Sequence, residues 1–301
     1  MSRARQVLPG QTLMVTRRCT QRQFLLRPDP VTNQAVLYCI GVAADQYGIE
    51  LHGVTCMSNT LCINCRDVRG EGPDFRRYLL SLLARFMNVH RSRWEAFWSS
   101  DEPSVVEICD AEAELAMLVY NLTDPVRQQL VDKVHNWPGV SSLPYQLSGK
   151  PVRAQRPKKF FRENGKMPAE VELRFVPPPG WAHLAHDEWA KLLGERVRTA
   201  EAEAAEKRRK DGSRIAGRKA VLRRSPKACP KTTPPRRNLN PRVACHDKDE
   251  RVAAIDRLKR FQARYQQALE QWAAGVRDVL FPAGTWQLVQ LGLVRCEPPP
   301  V

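Results

Sequence analysis

Cysteines 56, 62 and 65, histidines 183 and 186, and the lysines and arginines that crowd the chain after residue 206 are the residues whose types and spacing invite a chemical reading. Cys62-x-x-Cys65, with Cys56 upstream, has the spacing of half a zinc site. The flanking residues alternate as strands, and strand positions three apart project to opposite faces, so the two thiols diverge. A structural zinc site needs four convergent ligands; free thiols in a hairpin are the expectation. His183-x-x-His186-Asp187 covers one helical turn and could present two imidazoles to a metal, but it also reads as a helix start with Asp187 as cap. No phosphate-binding glycine loop, Gly-x-Ser-x-Gly elbow or Cys–His pair of known spacing is present.

The 301 residues carry a formal net charge of +16, and its placement says more than its size. From Lys207 to Arg242 there are 14 Lys and Arg against one acidic residue, whereas Met1 to Lys150 holds 16 against 15. Each Lys or Arg that meets a phosphate releases counterions, so such a tract supplies sequence-independent affinity for nucleic acid. Lys207, Arg208, Arg209, Lys210, Arg223, Arg224, Arg236 and Arg237 are the candidates there. Five prolines and no periodic apolar face predict a disordered linker, which on a plainer reading only keeps the chain soluble. The longest apolar run, Val36 to Ala44, falls far short of the ~18 residues of a membrane helix. Nine cysteines without framework spacing and a polar start suit a reducing compartment, and a soluble cytoplasmic protein is expected.

The elements that must position these residues follow from periodicity. Thr12 to Cys19 alternates as a strand. Val31 to Tyr47 has apolar residues at helical spacing, with Asp29 as N-cap, Pro30 in the first turn and Gly48 as stop. Ile49–Met57 and Thr60–Cys65 form a hairpin, Pro73–Val89 an amphipathic helix, Ser104–Ile108 a strand and Ala111–Leu122 a helix. That order predicts an α+β fold: a ferredoxin-like split βαβ antiparallel sheet with helices on one face and the 49–66 hairpin away from the sheet edge. Residues 1–150 would form this domain and 151–206 an extension with a strand near 170–176 and a charged helix at 187–207. Residues 207–246 would be the linker, and 247–301 a helix at 249–276 followed by a docked tail. The wide stripe of that last helix suits packing on the body, with homodimerisation as the alternative.

Several motifs now fall in a meaningful order. Val15-Thr16-Arg17-Arg18 precedes Phe24-Leu25-Leu26, and His52 to Asn59 runs as a strand into a turn. Phe75 to Asn88 is a helix ending in Asn, and Arg93-Trp94-Glu95 follows it. Tyr120-Asn121-Leu122-Thr123-Asp124-Pro125-Val126 comes next, then Leu130-Val131 and Trp137-Pro138-Gly139-Val140-Ser141-Ser142. On these motifs the first ~145 residues resemble the single-tyrosine HUH transposases of the REP-associated type. The resemblance implies DNA transposition by single-strand cleavage and rejoining. In it, a His-x-His pair holds a divalent cation on the scissile phosphate and a tyrosine attacks the phosphorus. It also implies a single-stranded or hairpin DNA partner, which Arg17, Arg18 and Arg22 at the first strand would contact along with the basic tract.

The departures fall on the catalytic positions. Thr60 and Cys62 stand where the resemblance places the two histidines, and Leu83 where it places the tyrosine. A threonine hydroxyl is a poor ligand and a thiolate prefers soft metals. Tyr78 lies five residues from Leu83, about 140° around the helix, and does not replace it. The expectation is a transposase-like DNA-binding protein with no metal or other cofactor, with Thr60 and Cys62 facing the helix of Leu83 but no cleavage. The alternative is a domesticated protein that binds DNA or RNA through the basic tract, without catalysis.

Overall fold

The computed structural model describes residues 4–232 and 241–299. The body starts with β1 (Gln11–Arg18), α1 (Pro30–Tyr47), β2 (Ile49–Cys56), β3 (Thr60–Asp67), α2 (Gly72–His90), β4 (Ser104–Ile108) and α3 (Ala111–Leu122). Short-range chemistry sets these boundaries. Asp29 accepts the Thr32 N–H at 2.7 Å, Pro30 opens α1, and Gly48 closes it at φ +61°. The Asp67 carboxylate accepts the N–H groups of Gly70, Glu71 and Gly72 at 2.9, 2.9 and 2.7 Å, which turns β3 into α2. Asp110 caps α3 through the Ala113 N–H at 2.7 Å.

The chain continues through α4 (Asp124–Arg127), α5 (Leu143–Ser148), β5 (Val152–Gln155), β6 (Glu170–Leu173), α6 (His186–Asp211) and α7 (Arg218–Arg223). It ends with β7 (Val243–Ala244), α8 (Lys248–Ala273), β8 (Leu280–Phe281), α9 (Gln287–Gln290) and β9 (Arg295–Cys296). The main sheet has the order β2-β3-β1-β4-β7. Its first four strands pair antiparallel, and β7 joins β4 in parallel, so the sheet is mixed.

Leu13, Val15, Leu61, Ile63 and Cys65 alternate onto one face and pack with α1 and α2. α3 lies on the other face, contrary to the expectation of helices on one face only. That face is polar at Thr12 and Asn64, and α3 matches it: Thr12 Oγ1 donates to Glu114 at 3.0 Å, and Asn121 Nδ2 donates to Asn64 Oδ1 at 2.7 Å. Gly53 leaves space there for Leu118, so the helix comes close. The hairpin also differs from expectation, since β2 is the sheet edge. β1 inserts between β3 and β4, which leaves β2 outermost. Its free groups are paired instead with coil: Cys56 N–H to Val140 O, Ser142 N–H to Val54 O and Val176 N–H to Leu51 O.

The described part of 207–246 is ordered, which corrects the expectation of a disordered linker. α6 runs to Asp211, α7 buries Val221, and Ala216 and Gly217 donate to the carbonyls of Gln129 and Leu130 at 2.9 and 3.0 Å. Phe24 N–H donates to Ala228 O at 2.8 Å, and β7 adds a strand to the sheet. One buried valine and a handful of backbone bonds fasten a segment whose composition is otherwise that of a linker. Nor does Asp187 cap α6: the Glu188 carboxylate accepts the Ala185 N–H at 3.1 Å in that role.

Candidate nucleic-acid interface

β1 ends at Arg18, and the chain then turns through Gln21 and Arg22 at φ +48° and +59°. The turn between β2 and β3 locks against this segment: Cys19 N–H donates to Asn59 O at 2.8 Å, Leu26 N–H to Ser58 O at 2.9 Å and Asn59 Nδ2 to Arg22 O at 3.0 Å. The stretch after α7 closes over the same place, and the Arg224 guanidinium lies 5.3 Å from the centre of the Phe24 ring. The result is a cleft of about 640 Å³ rimmed by Arg18, Arg22, Arg224 and Lys231, with Thr60 and Asp124 in its wall. Four cations and one carboxylate thus line it, and Arg18 Nη2 also lies 3.8 Å from Asp101 outside the cleft. Burial pushes the Asp124 carboxyl up against the pull of Arg127, whose Nη2 lies 2.9 Å away.

The other candidates are placed differently. Arg17 points to the opposite side of the strand, where its guanidinium donates to Ser99 O at 2.7 Å and to Asp101 O. Lys207, Arg209 and Lys210 lie exposed on the last turns of α6, with Lys210 paired to Glu206 at 2.8 Å, and Arg208 is half-buried. Arg223 is exposed at the end of α7. Arg236 and Arg237 lie outside the described residues. So Arg18, Arg22 and Arg224 are brought together out of the sequence candidates. Lys231 and Asp124 join them through tertiary approach, which no local spacing announces.

Thr60 and Cys62 share one strand face, as strand periodicity dictates, and Cys62 Sγ lies 3.3 Å from Thr16 Oγ1. That face does not look toward Leu83, which is wholly buried among α1 and α2 on the other side of the sheet. The expectation is corrected by the alternation of β3: Leu61 and Ile63 take the α2 side, so Thr60 and Cys62 take the α3 side. Asn121 Nδ2 reaches Cys62 O at 3.4 Å from α3. On the same helix the half-exposed Tyr120 carries Arg127 over its ring at 3.4 Å, whereas the Tyr78 hydroxyl donates to Met167 Sδ at 3.6 Å in the opposite core. The polar pair Tyr120-Asn121, which follows the apolar run Leu115–Val119 of this helix, is the sequence signal for this arrangement.

The donors present do not fit a divalent cation. Burial pushes the Cys62 thiol up to about 12, so it is protonated near neutrality, and Thr60 offers a neutral hydroxyl. Cys65 and Cys56 turn into the opposite core, so the thiols do diverge. His186 Nε2 lies 3.2 Å from Gln146 O. Among the described residues no group of three or more His, Cys, Asp and Glu side chains is placed to hold a metal ion. Nor is any described helix long and apolar enough to cross a membrane.

No protein-family model matches the chain, and no curated protein matches it. Among solved structures it is similar to a REP-associated tyrosine transposase bound to a REP hairpin, with 14% identity and a TM-score of 0.42 over 56% of this chain and 96% of that one. It is also similar to a protein of Deinococcus radiodurans R1 named as a candidate transposase, with 19% identity and a TM-score of 0.30 over 40% of this chain and 97% of that one. Both likenesses are distant.

Proposed function

We propose that this chain binds single-stranded or hairpin DNA in the cleft between β1, the β2–β3 turn and the segment after α7, and that it does not cleave the strand. One observation carries the reading: Arg18 and Arg22 meet Arg224 and Lys231 from some two hundred residues away around a single cleft. Four cations beside one lining carboxylate, already paired with Arg127, suit a run of backbone phosphates, and the exposed 3.8 Å pair of Arg18 with Asp101 is weak enough to yield to one. The half-buried Arg224 lies over the Phe24 ring, a cation–π contact that keeps its guanidinium at the cleft. The motif resemblance of the first half of the chain points to the same class of ligand. Against cleavage stands the donor set. A protonated thiol and a neutral hydroxyl hold no hard cation at a phosphate, so the attack that the resemblance implies lacks its Lewis acid.

The test is the salt dependence of binding to a hairpin-bearing single strand. Affinity should fall steeply with salt, and the variant Arg18→Gln, Arg22→Gln, Arg224→Gln, Lys231→Gln should lower the log–log slope by about 3. An unchanged slope would remove the cleft from DNA binding. Competition with an RNA of the same sequence separates the DNA reading from that of a general nucleic-acid binder. With magnesium or manganese no covalent protein–DNA adduct should form. An adduct that Tyr120→Phe abolishes would overturn the non-cleaving reading and name the nucleophile.

A further inference from the structure

A second group of arginines meets at the other end of β1, where the N-terminal segment, α2, β4 and α8 come together. Arg5, Arg76 and Arg242 line a narrow recess there. The recess adjoins a cleft of about 650 Å³, lined by Arg5, Arg76, Tyr265, Gln262 and Trp286, with the exposed Glu102 as its one carboxylate. Arg5 is held in place from below, with its Nη1 donating to Val105 O at 3.1 Å and Nη2 to Pro103 O at 3.3 Å. The segment that carries it is pinned by Val7 N–H to Gly284 O at 3.0 Å and Gln6 Nε2 to Ala283 O at 3.1 Å.

The two carboxylates of the recess are already committed. Asp67 accepts three backbone N–H groups at the start of α2, and Glu107 pairs with Arg257 at 2.6 Å. Among the described residues, the side chains of Arg76 and Arg242 make no hydrogen bond or salt bridge of their own. Burial, then the charges of Arg242 and Arg76, push Arg5 down to about 10 against the pull of Glu102, and Asp67 acts likewise on Arg76, so three guanidinium groups converge on fewer free carboxylates. Such a cluster is stabilised by an anion that accepts from several guanidinium groups at once.

The neighbouring cleft supplies what a bare anion does not need. Tyr265 and Trp286 are half-buried aromatic faces, and Gln262 can donate and accept along a base edge, whereas Gln266 Nε2 already donates to Glu270 at 2.9 Å. Its volume is that of a small-molecule site. We infer that this cleft binds a nucleoside phosphate, with the phosphate on Arg5, Arg76 and Arg242 and the base against Trp286 and Tyr265. β1 spans eight residues between Gln11 and Arg18, so this place lies roughly 24 Å along the strand from the first cleft and is independent of it. The nucleoside phosphate is either a free nucleotide or one unit of a bound strand.

Calorimetric titration of the full chain with AMP, inorganic phosphate and a 5′-phosphorylated decathymidylate tests this. One-to-one AMP binding is expected, weakened about tenfold by Arg242→Gln and by Trp286→Ala, while Trp286→Ala leaves inorganic phosphate within about twofold. Arg18→Gln with Arg22→Gln should leave AMP binding unchanged, which keeps the outcome separate from that of the DNA-binding cleft. If AMP fails to bind but the decathymidylate binds and loses affinity in Arg242→Gln and Trp286→Ala, the nucleotide belongs to a strand and the inference stands. Circular dichroism checks that each variant is folded, and Arg76→Gln replaces Arg242→Gln if the latter is not. Binding of no probe by folded wild type, or affinities that none of these variants alters, would overturn the inference.

Discussion

His52 sits at the irregularity between Leu51 and Gly53 of β2, almost wholly buried, with Nδ1 donating to Val176 O at 3.1 Å. Its Nε2 is buried with no partner among the described residues. Burial pushes the imidazole down to about 4, against the pull of that carbonyl. Between about pH 6.5 and 4 the unfolded chain therefore binds a proton that the folded chain refuses. The state that binds more protons gains on acidification, so stability should fall through this window, by up to about 3 kcal/mol. Urea unfolding at pH 7.5, 5.5 and 4.5 measures the slope, and His52→Gln should flatten it. Asp29 works in a lower window. Burial alone would raise its carboxyl, but the Thr32 N–H and Arg91, 2.8 Å away, hold it near 2. A carboxyl lowered by folding stabilises above its unfolded value near 4, and that contribution is lost as pH falls toward 2. Asp29→Ala should cost about 1–3 kcal/mol at pH 7, and that difference from wild type should shrink below pH 3.

Among the elements, those whose ends carry their own punctuation were legible in the sequence. Asp29, Pro30 and Gly48 bound α1 where their chemistry says they should, and the strands of the hairpin fall within a residue or two of their alternation. What lay beyond reading was which face each element takes in three dimensions. Strand alternation puts Thr60 and Cys62 together but does not say which helix covers them, and α3 rather than α2 does so because Glu114 and Asn121 suit the polar face. The basic cleft was half legible: Arg18, Arg22 and Arg224 stand out by charge, but they meet through long-range contacts, from Phe24 N–H to Ala228 O and from Arg27 to the carbonyls of Leu222 and Arg224. The cover over the edge of β2 was visible only as the motif Trp137-Pro138-Gly139. There Trp137 Nε1 donates to Cys56 O at 3.1 Å, and a Cβ on Gly139 would stand 2.5 Å from that indole nitrogen and 2.8 Å from that carbonyl. Gly139→Ala must push the loop off the strand and break this bond, so a loss of about 1–3 kcal/mol in urea unfolding is expected.

Across the whole molecule, the positive charge is built into the structure rather than hung from it. Composition argues that removing 207–242 would subtract charge and nothing else. The fold argues otherwise: within that range, Val221 is wholly buried with the residues around α3 and α6, Ala216 and Gly217 bond to the backbone after α4, and Ala228 holds Phe24. Deleting 212–232 should therefore destabilise the chain by about 2–4 kcal/mol, from one buried valine and several backbone bonds, and so confound any loss of DNA binding. Neutralising exposed charges separates the two effects. Arg209, Lys219, Arg223 and Lys227 are all exposed. Changing these four to Gln should leave stability within about 0.5 kcal/mol, because surface substitutions away from packed features cost little. Urea unfolding and the salt slope of DNA binding, measured side by side on the deletion and on the substituted chain, make the comparison. If the deletion unfolds no more easily than wild type, the ordered path of 212–232 over the body does not contribute to stability. If it does unfold more easily while the substituted chain keeps both stability and slope, the DNA contacts lie in the cleft of Arg18, Arg22, Arg224 and Lys231 and not along the exposed flank of the basic tract.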